Sequence, residues 1–91
     1  MRKVEALKFW APWCAPCKAL STILEDVEID SYNIDEEESA EIAKKFSIRS
    51  IPTIVFVVDG VEVHRKAGII TKKEYLETLE ELQNGTGNTT T

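Results

Sequence analysis

Two spacings of apolar residues run along the chain. Crowded or alternating apolar runs mark strands, and three- and four-residue spacings mark helices. Val4 to Ala11 (VEALKFWA) predicts a strand that turns almost wholly apolar toward its end, apart from Lys8. A helix is predicted from the vicinity of Pro16 to about Asp26, with Cys17, Leu20, Ile23 and Leu24 along one stripe. Val27 to Ile34 reads as a second, more polar strand. Asp35 and Glu38 have the spacing of a capping box, and the helix they open places Ala40, Ile42, Ala43 and Phe46 inward. The segment IRSIPT reads as a loop. TIVFVV is a continuous β-branched run, as expected of a strand buried on both faces. Asp59-Gly60 predicts a tight hairpin, with Val61 to Ala67 as the returning strand. On that strand Val61 and Val63 fall on one face, Glu62 and His64 on the other. Thr71 and Glu74 form a second capping box, with Ile70 and Tyr75 as its hydrophobic staple. The last helix turns Tyr75, Leu76, Leu79 and Leu82 to the sheet.

The predicted order is β-α-β-α-β-β-α, an α/β fold. A right-handed crossover makes the first two strands parallel, and the Asp59-Gly60 turn makes the last two antiparallel. The expected result is a four-stranded mixed sheet flanked by three helices. The domain is expected over residues 1–83. Residues 84–91 contain only Asn, Gly and Thr and are expected to form a flexible tail.

Composition narrows the functional classes. The chain has 91 residues, 43% of them hydrophobic, enough for one core. Eleven Lys and Arg stand against 16 Asp and Glu, a net charge of −5. That balance, with its scattered cations, argues against nucleic acid as a partner. The charged start carries no leader-like apolar stretch and no membrane span is expected, so a cytoplasmic monomer is the working expectation.

Both cysteines stand in KFWAPWCAPCKAL, Cys14 and Cys17. A structural zinc site normally needs four ligands, and His64 is the one histidine. A permanent staple between residues so close would shut only a tiny loop and constrain the unfolded chain little. Disulfide exchange suits the pair better. Cys14 is placed at a helix N-terminus, where peptide N–H groups favour a thiolate, and Cys17 lies one turn in. Cys14 can attack a substrate disulfide and Cys17 can then attack Cys14 to release the product. Trp13 offers a flat apolar surface beside the nucleophile, or is simply a packing tryptophan.

WAPWCAPCK resembles the active-site segment of the thioredoxin family, usually Trp-Ala-x-Trp-Cys-Gly-Pro-Cys-Lys. IRSIPT resembles the segment that carries that family's cis-proline, and FVVDGVEVHRKAG its terminal hairpin and following glycine. The resemblance covers about Val4 to Leu82. It implies the thioredoxin fold, Cys14 as the attacking cysteine and Cys17 as the resolving one. It also implies a cis Pro52 facing the disulfide, an Ile51 backbone that pairs with an extended substrate, and a Gly68 that leaves room near the groove. Trp13 and Pro16 complete the docking surface. The implied activity is reduction of disulfides in client proteins with no bound cofactor and no metal, the electrons residing in the Cys14–Cys17 pair. A thioredoxin-reductase-like flavoenzyme or the glutathione system would recharge it. A glutaredoxin-like, glutathione-coupled reductase and a thioredoxin-fold binding module are the alternatives.

Three departures from the family pattern shape the expectations. With three residues before Val4, the chain resembles a small thioredoxin lacking the N-terminal strand and helix. Ala15 replaces the usual glycine between the cysteines. Lys8 stands where the family usually carries a buried aspartate beneath the resolving cysteine, and Ser31 where that aspartate's lysine partner usually stands. A neutral buried Lys8 would accept a proton; a charged one would favour thiolates. The plainest reading has its stem covering core while the ammonium reaches solvent or an acidic side chain. Lys18 is a second tuning candidate, or a solvated helical lysine.

Overall fold

The computed structural model describes residues 2–85. Its elements are β1 (Glu5–Trp10), α1 (Ala15–Ile23), β2 (Asp30–Asn33), α2 (Glu37–Lys45), β3 (Thr53–Val58), β4 (Val61–Ala67) and α3 (Lys72–Gln83). The four strands form one sheet in the order β2-β1-β3-β4. β1 runs parallel to β2, with Lys8 opposite Ser31, and antiparallel to β3, with Lys8 opposite Ile54. β3 and β4 are antiparallel. The element order and the mixed sheet flanked by three helices are those expected of the thioredoxin fold. Residues 86–91, most of the expected flexible tail, lie outside the described residues.

The period-two alternation of β1 and β3 divides the core into two layers. On one face Ala6, Ile54 and Phe56 pack with Leu20 and Leu24, next to or on α1, and with Tyr75 and Leu82 of α3. On the other, Leu7, Phe9, Val55 and Val57 meet Ala43 of α2. Phe9, Ile54, Val55 and Phe56 are fully buried, each contributing on the order of 2 kcal/mol of hydrophobic stabilisation. The continuous apolar run of β3 is therefore a strand covered on both sides.

Local chemistry explains the ends of the elements. Asp59 and Gly60 both have positive φ, 52° and 82°, as a two-residue type I′ hairpin requires. Thr71 caps α3 by accepting from the Glu74 N–H at 3.0 Å. The Glu74 carboxylate does not reach back; it takes Lys66 of β4 at 2.9 Å. The staple forms, since Ile70 and Tyr75 share one cluster.

Several expected boundaries and faces differ. β2 begins at Asp30 because a Val27 N–H to Leu24 carbonyl turn occupies the residues before it. α2 is capped by Glu36 without a side-chain bond, so the Asp35–Glu38 box does not form. Ser39 and Ala43 are then its buried residues, and Ala40 is exposed. In α3 Thr78 is buried and Leu76 exposed, because the stripe runs Tyr75, Thr78, Leu82. A bulge opposite Phe56 and Val57 breaks the alternation of β4. Glu62 pairs with Val57, whereas His64 pairs with Phe56 and lies tilted against its ring, 5.9 Å between centroids.

Candidate active site

α1 starts at the disulfide. Cys14 is its N-cap, in extended conformation, and Ala15 and Pro16 form the first turn. Pro16 is tolerated there because its missing N–H has no helical partner to lose. Cys14 and Cys17 are joined as a disulfide with Cα atoms 5.2 Å apart. The Cys17 N–H donates to Cys14 Sγ at 3.2 Å. A peptide dipole and the helix N-terminus thus both point at the sulfur that would carry negative charge after reduction. Cys14 is 6% exposed and Cys17 1%, so an incoming disulfide meets Cys14 first. Both pack with Ala11, Trp10, Ile34 and Ile51. Among the described residues no group of three or more His, Cys, Asp or Glu is arranged to hold a metal ion.

The opposite wall comes from the segment between α2 and β3. The Ser47 N–H bonds the Lys44 carbonyl at 3.0 Å and the Ile48 N–H bonds the Ala43 carbonyl at 2.9 Å, the two bonds of a Schellman motif. Ser47 takes the left-handed position, φ 54°, that glycine usually fills. This ending turns the chain back toward the cysteines. The Ile51–Pro52 peptide is cis, as the resemblance implied. The Ile51 carbonyl oxygen lies 3.9 Å from Cys14 Sγ. Pro52 itself is fully buried, and its carbonyl accepts from the Gly68 N–H at 2.8 Å. Gly68 has φ 86°, and a Cβ there would meet nothing within 4 Å. Its backbone conformation, not crowding, calls for glycine.

Trp13 is 68% exposed beside this cleft, its indole N–H donating to Asp35 Oδ1 at 3.3 Å. Between Trp13, α2 and the 48–51 segment runs a groove of about 450 Å³, with Ile34, Ala43, Ile48 and Ile51 in its lining. Lys44 and Arg49 also line it. Neither cation was singled out by the sequence, because only the turn after α2 brings them together. Lys18 is exposed on α1.

Lys8 is 6% exposed in the middle of β1. Its ammonium reaches the Ser21 hydroxyl at 2.9 Å, rather than solvent or an acidic side chain. Ser21 follows Cys17 by four residues, on the same side of α1. Burial pushes the Lys8 pKa below the ordinary lysine value. The i+4 spacing from Cys17 was the sequence signal for Ser21; which side chain would meet it was not.

Comparison with known proteins agrees with this geometry. The sequence model of the thioredoxin family matches residues 2–81. The thioredoxin of Mycoplasmoides gallisepticum is 37% identical over 83 residues, covering 86% of this chain and 83% of the relative. The Bacillus subtilis thioredoxin is 38% identical over 82 residues, covering 84% and 75%. Among solved structures, thioredoxin-2 of the malaria parasite superposes with a TM-score of 0.76 at 25% identity, covering 87% of this chain and 82% of that one. The Malassezia sympodialis thioredoxin gives 0.72 at 28% identity, covering 82% and 71%. These matches correct the expectation of a small form lacking an N-terminal strand and helix. The family match takes in β1 and α1, β1 is hydrogen-bonded on both edges within the sheet, and the domain is a standard one of this fold.

Proposed function

The chain belongs to the thioredoxin family of dithiol–disulfide oxidoreductases, and from that premise we propose that it reduces client-protein disulfides with Cys14 attacking and Cys17 resolving. The observation that carries the assignment is the Cys17 N–H donating to Cys14 Sγ at 3.2 Å at the start of α1, with Cys14 the more exposed residue of the pair.

The exchange proceeds in two substitutions. In the reduced protein the Cys14 thiolate attacks one sulfur of the client disulfide. A Cys14–client bond forms, the client S–S bond breaks, and the first client sulfur leaves and takes a proton. Cys17 then loses its proton and attacks Cys14 Sγ. The Cys14–Cys17 bond forms, the mixed disulfide breaks, and the second client sulfur leaves as a thiol. Two electrons pass from the protein dithiol to the client, which is the redox state reached in the structure described here.

In this reading Trp13, Pro16 and Gly68 form the docking rim. The Ile51 backbone pairs with an extended client segment beside cis-Pro52. Lys8, through Ser21 and α1, and Lys18 tune the dithiol. Disulfide exchange with clients and with a reductase is general to the family. For this chain the electron donor proposed is a thioredoxin-reductase-like flavoenzyme, with the glutathione system as the competing source. Among the described residues no helix is long and apolar enough to cross a membrane, and the proposed site of action is the cytoplasm, as a monomer.

Turbidimetric reduction of insulin by dithiothreitol tests the assignment. The parent accelerates precipitation of the insulin chains and Cys14→Ser does not; equal acceleration by both proteins would refute it.

A further inference from the structure

The groove beside the disulfide carries charge opposite to that of the chain. The protein is acidic overall, net −5. Three of its cations sit in ion pairs elsewhere on the surface: Arg65 with Glu62, Lys66 with Glu74 and Lys72 with Asp26. Lys45 lies over the Phe46 ring, 5.7 Å from its centroid. Lys44 and Arg49 are the cations of the groove. They flank the turn after α2, both are exposed, and both line the groove. Among the described residues neither makes an ion pair or hydrogen bond through its side chain. The remaining lining is mainly Trp13, Ile34, Ala43, Ile48 and Ile51. Unpaired cations beside an apolar floor suit a ligand that presents an apolar side chain and a carboxylate together.

Resting on the oxidoreductase reading above, we propose that this groove selects client segments with an acidic side chain beside an apolar one near the reacting cysteine. Side chains alternate along an extended segment, so residues two positions from the client cysteine point the same way as its sulfur. With that sulfur at Cys14 and the segment along Ile51, one of these side chains is directed to the groove between Trp13 and α2. Lys44 and Arg49 meet its carboxylate there, and the neighbouring apolar groups displace water from the floor. Overall negative charge disfavours acidic clients at long range; the local pair reverses that at contact, so the preference resides in the docked complex.

The experiment is a set of synthetic peptide disulfides differing only in Glu, Gln or Lys two residues before or after one cysteine, with Leu adjacent. Reduction by the reduced protein is followed as a second-order rate. At one of the two positions the Glu peptide reacts about three- to fivefold faster than the Gln peptide, the size an exposed charge pair supports, and the Lys peptide slower. The preference shrinks in 1 M salt, where screening reaches about 3 Å. A Lys44→Glu/Arg49→Glu variant inverts the order, and Arg49→Lys keeps it. Equal rates for Glu and Lys peptides, or an order that survives charge reversal, overturn the proposal and leave the redox assignment standing. Failure of every peptide to react would instead remove the redox assignment, and the proposal with it. If charge reversal changes the sedimentation of the protein alone and not the peptide order, the groove is a contact between copies of the chain and the proposal falls.

Discussion

The Lys8 ammonium lies 2.9 Å from the Ser21 hydroxyl, and among the described residues no carboxylate is buried alongside it. A neutral hydroxyl compensates an ammonium less than a carboxylate would, so burial lowers the lysine pKa. The folded protein then releases this proton at lower pH than the unfolded chain does. Stability due to Lys8 rises with pH across the interval from the lowered value to the unfolded value of about 10.4. Replacing the charge by Lys8→Met is expected to stabilise the oxidised protein at neutral pH by about 1–3 kcal/mol. That advantage narrows as the pH rises toward about 10. Tyr75, whose pKa burial raises, titrates in both proteins and cancels in the difference. Urea unfolding of the pair over this range checks the sign; a difference independent of pH contradicts it.

The same cation should act on the dithiol. A positive charge beneath α1 favours thiolates and so the reduced state. Lys8→Met is expected to make the Cys14–Cys17 potential more negative by about 10–30 mV, the equivalent of a weak charge interaction. Equilibration against a glutathione buffer measures it. An unchanged potential removes Lys8 from the tuning of the site.

Two left-handed residues near the cleft should respond oppositely. Ser47 (φ 54°) ends α2 in a conformation that disfavours a Cβ, and Gly68 (φ 86°) holds such a conformation without one. Ser47→Gly is expected to stabilise by up to about 1 kcal/mol, and Gly68→Ala to destabilise by about 1–2 kcal/mol although the space for a methyl is open. Chemical denaturation of both variants separates backbone preference from crowding.

Trp13 contributes little to the core, being 68% exposed with one long exposed hydrogen bond. Trp13→Ala should change unfolding free energy by less than about 0.5 kcal/mol. In the proposed reading it raises KM for insulin severalfold. A large loss of stability without a change in KM would make Trp13 a packing residue.

Arg65 joins β4 to the end of α2, donating to the Phe46 carbonyl at 2.6 Å and to both oxygens of Glu62. Arg65→Ala is expected to cost about 1–2 kcal/mol. The hydrogen bond from Arg65 holds the Glu62 carboxyl below its ordinary range. The pair's contribution is present above the unfolded Glu value of about 4.3 and is lost as the pH falls through the lowered folded value. Acid denaturation of Glu62→Gln should therefore begin with less of this loss than in the parent.

Residues whose neighbours in sequence settle their environment were readable in advance. TIVFVV needs no partner to declare itself buried, Asp59-Gly60 carries its turn in its φ preferences, and the strand–Cys-x-x-Cys–helix order places Cys14 at an N-cap. Misreadings arose where a tertiary contact competed with a local one. Asp35 had the spacing to cap α2, but its carboxylate accepts the Trp13 indole N–H instead. The N-cap is Glu36, α2 begins at Glu37, and its buried positions are Ser39 and Ala43 rather than Ala40. Leu76 is more apolar than Thr78, yet three and seven residues after Tyr75 lie Thr78 and Leu82, and helical geometry buries those. The β4 bulge depends on pairing with β3 and left no local mark on the faces of Glu62 and His64. Lys8 was conspicuous, but Ser21 became its partner only through the packing of α1 over β1. Counting residues before Val4 suggested a shortened domain; the extent of the family match did not bear that out.

The division of labour between the two sulfurs is tested most directly by trapping. Reduced Cys17→Ser and Cys14→Ser variants are mixed with oxidised insulin, quenched with acid and weighed intact by mass spectrometry. An insulin adduct on Cys14 is expected to accumulate in Cys17→Ser, because the resolving thiol is gone, with little adduct in Cys14→Ser. Adduct formation on Cys17 in Cys14→Ser at an equal or faster rate would contradict it.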